Sequence, residues 1–188
     1  MPDRVADAME AAPRAAFLPR SQRHRADSDE ALRIGDGATC SQPTTVRHML
    51  EMLEPRAGDR VLDVGSGSGW TCALLAHLVS PGGSVRGVEL IHRLVTTANR
   101  RLGAQGVSNA SVLPAVEGVL GLPDDAPFDR ILVSAMAGSL PPSLVDQVAV
   151  GGRMVIPVDG RMLRVDRRED GVEQHAEGRY RFVPLQGG

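Results

Sequence analysis

Arg60-Val-Leu-Asp-Val-Gly-Ser-Gly-Ser-Gly-Trp-Thr-Cys-Ala-Leu-Leu-Ala-His-Leu-Val79 is the stretch whose reading decides the fold. Val61, Leu62 and Val64 make a short apolar run interrupted by one carboxylate, Asp63. Gly65, Gly67 and Gly69 then alternate with Ser66 and Ser68, and an apolar helical pattern follows. The pattern predicts strand, tight turn, helix. Glycine stands where the backbone must take positive φ or approach a ligand too closely for a Cβ, and a helix starting just after the turn directs free N–H groups into the loop. Such a loop favours an anionic or carboxylate-bearing ligand.

Spacing separates the ligand classes that use loops of this kind. A phosphate-cradling P-loop needs a lysine after its last glycine, and the chain contains no lysine. A dinucleotide fingerprint would need a third glycine at position 70, which is Trp70. What remains, Asp63-x-Gly65-x-Gly67-x-Gly69, resembles the first motif of class I S-adenosylmethionine-dependent methyltransferases. A glycine-rich turn with no ligand stays open as the plainer alternative. Val85-Arg-Gly-Val-Glu-Leu90 is a second strand pattern ending in a carboxylate, and Glu89 lies 24 residues after Gly65 (89 minus 65). That is near the offset of about 20 residues at which such folds place an acid on ribose hydroxyls, which supports an adenosine-containing ligand without choosing one.

At 188 residues the chain is one domain of ordinary size, with 42% hydrophobic and 23% charged residues. A net charge of -2 gives no general pull towards nucleic acid or an anionic membrane. All 21 basic residues are arginine, a bias given no functional weight. Cys40 and Cys72 have no metal-site spacing, so reduced thiols in a cytoplasm are expected and no metal is. The N-terminus carries acids where a signal peptide would need an apolar run, and no stretch approaches about 18 consecutive apolar residues, so no membrane association is expected.

In chain order, residues 3 to 12 predict a short helix stopped at Pro13. The basic run Arg20-Ser-Gln-Arg-His-Arg25 predicts a solvated loop, since the acidic Asp27-Ser-Asp-Glu30 follows and the chain has only five aromatics for stacking on bases. Gly35-Asp-Gly37 has turn chemistry. Thr39-Cys-Ser-Gln-Pro43 is then a fixed loop leading into a helix from Thr44 to about Leu53, a place for a functional hydroxyl. A helix is predicted from Ile91 to about Gly103, and strands at residues 110 to 115 and 129 to 134. Another helix is predicted from Pro141 to Val150, with a strand at residues 153 to 157 after it. Two last strands, near residues 161 to 166 and 179 to 185, flank the turn-like Glu169-Asp-Gly171. Alternating strands and helices with a closing hairpin imply a mostly parallel sheet covered on both faces.

Across nearly its whole length the chain is similar to the protein-L-isoaspartate O-methyltransferases. The stretches that carry the likeness are Pro13-Arg14 with Phe17-Leu-Pro19, Ile34-Gly-Asp-Gly-Ala-Thr-Cys-Ser-Gln-Pro43, Val61 to Trp70, Val85 to Leu90, Ala126-Pro-Phe-Asp-Arg-Ile-Leu-Val133, Gly151-Gly-Arg-Met-Val-Ile-Pro-Val158 and Arg181-Phe-Val-Pro-Leu185. The resemblance implies a Rossmann-like α/β methyltransferase fold: a mostly parallel seven-stranded sheet, helices on both faces and a C-terminal antiparallel hairpin. It makes residues 1–188 one domain, with 1–55 on the substrate side and 56–188 holding the cofactor. It implies Ser41 as the active-site hydroxyl, with Thr39 and Gln42 beside it towards substrate. Asp63 with Gly65, Ser66, Gly67, Ser68 and Gly69 would hold the methionine portion of S-adenosylmethionine, Glu89 with Leu90 its ribose, and Glu117 with Gly118 its adenine. A helix cap before Pro43 and Thr44 is the alternative role of Ser41 on sequence alone.

The implied reaction is methyl esterification of the free carboxylate of L-isoaspartyl and D-aspartyl residues in damaged proteins or peptides, by a monomer. A carboxylate with an ordinary pKa near about 3.5 is already ionised at neutral pH, so no general base is needed, and the five histidines are expected to be surface or core residues. The chain departs from the family pattern at Asp27, Cys40, Val116, Glu117 and Asp159, which puts substrate identity in question more than cofactor use. The rivals are an aspartate O-methyltransferase tailoring one partner peptide, of a kind that often carries a further C-terminal domain; a tRNA methyltransferase, disfavoured by charge and scarce aromatics; and an inactive cofactor-binding homologue.

Overall fold

Residues 3–186 are described by the computed structural model. Asp3 caps the first helix, α1 (Arg4–Ala11), by accepting from the Ala6 N–H at 3.0 Å. Two short 3-10 turns, Arg14–Phe17 and Arg20–Arg25, lead into a small antiparallel hairpin of β1 (Leu32–Gly35) and β2 (Ala38–Cys40). α2 (Pro43–Leu53) follows, with Pro43 in its first turn and Val46, Met49, Leu50, Met52 and Leu53 buried at helical spacing.

The remaining chain alternates strands and helices: β3 (Arg60–Val64), α3 (Trp70–Leu78), β4 (Ser84–Glu89), α4 (His92–Ala104), β5 (Ala110–Pro114), β6 (Phe128–Val133), α5 (Pro142–Val145), β7 (Val148–Val158), β8 (Arg161–Arg168) and β9 (Gly171–Glu177). The seven strands from β3 onward form one sheet in the order β5-β4-β3-β6-β7-β8-β9. β3 to β7 are parallel, and β8 and β9 add an antiparallel hairpin. Apolar side chains alternate between two cores, one per face. Val61 and Leu132 point into the core under α2, α3 and α4, whereas Leu62, Val64, Ile131 and Val133 point into the other. Covering both faces explains why residues 61–64 are all buried. α3, packed between the sheet and α1, is apolar nearly all round, with only His77 exposed.

The strand order fixes where a ligand can sit. From β3 the chain moves outward through β4 to β5, then returns to β6 on the opposite side of β3, so the connections leaving β3 and β6 diverge. In open α/β sheets such a switch point is a crevice outside the carboxyl ends of the strands. Here it lies between Gly65, after β3, and Ser134, after β6, whose N–H donates to the Val64 carbonyl at 2.9 Å.

Four local expectations are corrected. The helix expected over residues 141–150 is the single turn α5, because Val148 already joins β7. The last strand is β9 and not residues 179–185: polar Glu173, Gln174 and His175 suit an exposed edge, while residues 179–185 form no strand and make one bridge, from Pro184 to Met136. Thr39 and Cys40, expected in a loop, belong to strand β2, which follows the expected turn at Gly35-Asp-Gly37, where Asp36 takes φ 51°. The basic run at Arg20–Arg25 is a 3-10 turn instead of a loop.

Candidate active site

The loop after β3 is shaped by backbone and held by one acid. Gly65, Gly67 and Gly69 have φ of 78°, 50° and 83°, a region costly for side-chain-bearing residues. A Cβ on Gly67 would lie 3.2 Å from Ile34 Cδ1 of β1, so the loop and the hairpin approach as closely as glycine permits. Glu89 Oε2 accepts from the Gly67 N–H at 2.9 Å and Oε1 from the Ile91 N–H at 3.0 Å. The carboxylate thus ties the loop to the end of β4 with two of its roughly four acceptor sites, leaving others for a ligand.

Asp63 lies behind the loop. It is fully buried, and Oδ2 accepts from Thr71 Oγ1 at 2.5 Å and from the Cys72 thiol at 3.1 Å. Burial pushes its carboxyl up to about 6, with the hydrogen bonds from Thr71 and Cys72 pulling the other way and the charge of Glu89 adding to the rise. Burial and Asp63 together push the Cys72 thiol up, so it is not a nucleophile. Asp63 lines neither cleft described next; it braces the N-terminal turn of α3 from below.

Two adjoining clefts open at the switch point, of about 250 Å³ and 290 Å³. Thr39, Gly65, Gly67, Ser134 and Val183 line both, so the glycine loop is the partition between them. The smaller cleft is walled by seven serines and threonines, Thr39, Ser41, Thr45, Ser66, Ser68, Thr71 and Ser134, with Trp70 and Phe182; Arg181 is the one charged residue in its lining. The larger is apolar, with Val88, Leu90, Ile91, Val119, Leu120 and Leu185, and carries the carboxylates of Glu89 and Asp36. Asp36 also pairs with Arg93 of α4 at 2.6 Å, pinning the hairpin tip beside the larger cleft.

Ser41 stands in the smaller cleft because its loop is fixed from both sides. Its carbonyl accepts from Arg14 Nη2 at 3.0 Å, while its hydroxyl makes no hydrogen bond among the described residues. It is not the helix cap. The capping position is Gln42, which makes no capping bond, and the α2 amide at Thr44 is met by Asp29 Oδ1 at 2.9 Å. The Thr44 hydroxyl, which also donates to Asp29, and this amide together hold the Asp29 carboxyl below its ordinary range.

Of the residues singled out in the sequence, Thr39, Ser41, Gln42, Gly65, Ser66, Gly67, Ser68, Glu89 and Leu90 line the clefts. Gly69 is the N-cap of α3 and packs on Ala98. Glu117 and Gly118 sit on an exposed turn and line neither cleft; Val119 and Leu120 after them do. None of the five histidines lines either cleft. Sequence reasoning missed Ser134, Trp70 and Arg181. Ser134 was findable as the first residue past β6, facing the strand that carries the glycine loop.

The family model for protein-L-isoaspartate(D-aspartate) O-methyltransferase matches residues 1–188. The chain belongs to this family. It is 43% identical to the protein-L-isoaspartate O-methyltransferase of Methanopyrus kandleri, over 98% of this chain and 84% of that one. It is 45% identical to the one from a Roseiflexus species, over 98% and 85%. Among solved structures, a Plasmodium falciparum protein described as a putative protein-L-isoaspartate O-methyltransferase in complex with S-adenosyl-L-homocysteine superposes with a TM-score of 0.88, at 22% identity, over 100% of this chain and 92% of that one. That likeness shows the Rossmann-like methyltransferase fold. The departures from the isoaspartate methyltransferase pattern fall mostly outside the site. Asp159 and Gly160 (φ 46° and 78°) form the two-residue turn between β7 and β8, and Asp is among the residues that tolerate this conformation. Asp27, Val116 and Glu117 are exposed, and of the five only Cys40 lines a cleft.

Proposed function

We propose that this chain transfers a methyl group from S-adenosylmethionine to the free carboxylate of L-isoaspartyl and D-aspartyl residues in damaged proteins or peptides. The observation that carries the reading is the contrast between the adjoining clefts: one apolar with a backbone-anchored carboxylate, the other hydroxyl-lined with arginine as its only charge. The first suits a nucleoside, the second an anionic acceptor.

The residues fit the cofactor. Gly65 and Gly67 line both clefts at positive φ, and Glu89 keeps acceptor sites free where ribose hydroxyls need them. Glu89 would hold the ribose, Val119 and Leu120 the adenine face, and Gly65, Ser66, Gly67 and Ser68 the methionine portion. When bound, S-adenosylmethionine supplies an electrophilic methyl group on sulfur. The chain's own task is to receive a carboxylate that is ionised at neutral pH, orient it and strip its water. Ser41 donates the orienting hydrogen bond, with Thr39 and Gln42 beside it. Arg181 supplies charge at the rim, and Phe182 and Trp70 exclude solvent. No side chain needs to remove a proton, which agrees with the positions of the histidines.

The same proposal includes action as a monomer on protein or peptide, without nucleic acid or membrane, in a cytoplasm; the free buried thiols of Cys40 and Cys72 accord with a reducing compartment. No helix among the described residues is long and apolar enough to cross a membrane. Incubation with methyl-labelled S-adenosylmethionine and paired aspartyl and isoaspartyl peptides tests the reading. Base-labile label on the isoaspartyl peptide alone is expected; label on neither, or on both equally, would overturn it.

A further inference from the structure

Arg14 is a buried cation without a counter-ion. Only 5% of its surface is exposed, and it forms no ion pair among the described residues. Its fork is spent on backbone carbonyls. Nη1 donates to Ala26 at 3.2 Å and Ser28 at 3.0 Å; Nη2 donates to Glu30 at 2.6 Å and to Cys40 and Ser41 at 3.0 Å each. The guanidinium carbon also lies 5.6 Å from the centre of the Trp70 ring, whose indole N–H is fixed on the Ala12 carbonyl at 2.9 Å. Cys40, Ser41 and Trp70 all line the hydroxyl-walled cleft, so the cation lies just behind its wall. Burying a charge is costly unless it is paired, and carbonyl dipoles and a π face compensate it without cancelling it.

The lining of that cleft contains no aspartate or glutamate. Asp29, an acid that feels the Arg14 charge, is committed to Thr44. We infer that Arg14 is the positioning residue of the acceptor site: it fixes the backbone that carries Ser41 and leaves a net positive charge beneath the place where the substrate carboxylate is received. This rests on the methyl-esterification reading above. It divides the work of the guanidinium into a charge, which any cation could supply, and a five-carbonyl fork, which only arginine can span.

Two variants separate these parts. Trp70 is the only tryptophan in the chain, so its fluorescence reports occupancy of the cleft without catalysis. In protein saturated with S-adenosylhomocysteine, Arg14→Gln is expected to weaken binding of an isoaspartyl peptide more than tenfold and raise KM in step. Affinity for S-adenosylhomocysteine itself is expected to stay within twofold. Arg14→Lys is expected to restore KM while kcat stays at least fivefold low, because one ammonium cannot hold Cys40 and Ser41 in register. Unchanged peptide affinity in a folded Arg14→Gln protein would overturn the inference. So would parallel losses of peptide and S-adenosylhomocysteine affinity that lysine does not repair. Should Arg14→Gln not fold, Arg14→Lys decides alone: normal KM with lowered kcat supports the inference, and unchanged kcat overturns it. A wild-type chain that neither binds nor esterifies the isoaspartyl peptide would overturn both readings, whereas a working wild type with indifferent variants overturns this one only.

Discussion

Ser41 and Asp29 divide two tasks that one residue could have performed. Asp29 meets the first free amide of α2 from a distant loop, which releases the Ser41 hydroxyl to face the cleft. Ser41→Ala is therefore expected to lower turnover on an isoaspartyl peptide while leaving the melting temperature and cofactor affinity unchanged. Asp29→Ala is expected to lower the melting temperature, since it removes the cap of α2. Thermal melts and initial rates on both variants check the division. A lowered melting temperature with full activity in Ser41→Ala would return the hydroxyl to a structural role. The alternative roles of Ser41 could not be separated in the sequence, because the acid that takes over the capping lies 15 residues before Thr44.

Asp63 has the opposite character, a strand carboxylate whose burial works against its charge. Its carboxyl rises from an ordinary value of 3.8 to about 6, so the folded state favours the protonated form. The stability it contributes is fully present below about pH 4 and is lost as pH rises through 6. Relative to wild type, Asp63→Asn is expected to show no pH trend below about 4 and to gain up to roughly 3 kcal/mol between pH 4 and 6, at 1.36 kcal/mol per unit. Above that it should be flat again. Denaturant melts across this range measure it, and a difference independent of pH would show that Asp63 does not titrate there. Its place in the motif was legible in the sequence; its position behind the loop was not, since a motif does not say which side of the backbone a side chain takes.

At the scale of elements, the glycine loop and the turn at residues 116–119 make contrasting predictions. Gly67→Val forces a branched side chain to φ 50° and against Ile34, so affinity for S-adenosylhomocysteine is expected to fall by at least tenfold. Glu117 is exposed and lines neither cleft, so Glu117→Ala is expected to change that affinity less than twofold. Calorimetry on the two proteins decides both, and a tenfold loss in Glu117→Ala would bring its turn into the site. The strands and helices from 60 to 114 were readable because apolar periodicity and glycine punctuation agree there. α5 and β9 were not. Four helical residues leave no period, and β9 is an exposed edge whose polar side chains erase the alternation that marks a half-buried strand.

For the whole molecule, a mostly parallel sheet with a closing hairpin was implied by alternation and resemblance, whereas the strand order that sets the switch point between β3 and β6 is read only from the structure. What a linear reading could not supply is which distant segments meet there. The acceptor cleft needs Thr39 and Ser41 from before the sheet, Ser134 from its middle and Val183 from after its last strand. The charge beneath it comes from Arg14, which the sequence shows only as half of a Pro-Arg pair.

The wall shared by the two clefts joins Thr39, Gly65, Ser134 and Val183, residues spread across most of the chain. A molecule held there acts as a noncovalent cross-link, and none of its grip survives unfolding. S-adenosylhomocysteine at about 100 times its Kd should raise the unfolding free energy by about 2.7 kcal/mol. It should also slow proteolytic cleavage within residues 179–186, far in sequence from the glycine loop. A thermal shift without that protection would mean that the tail does not share in the grip.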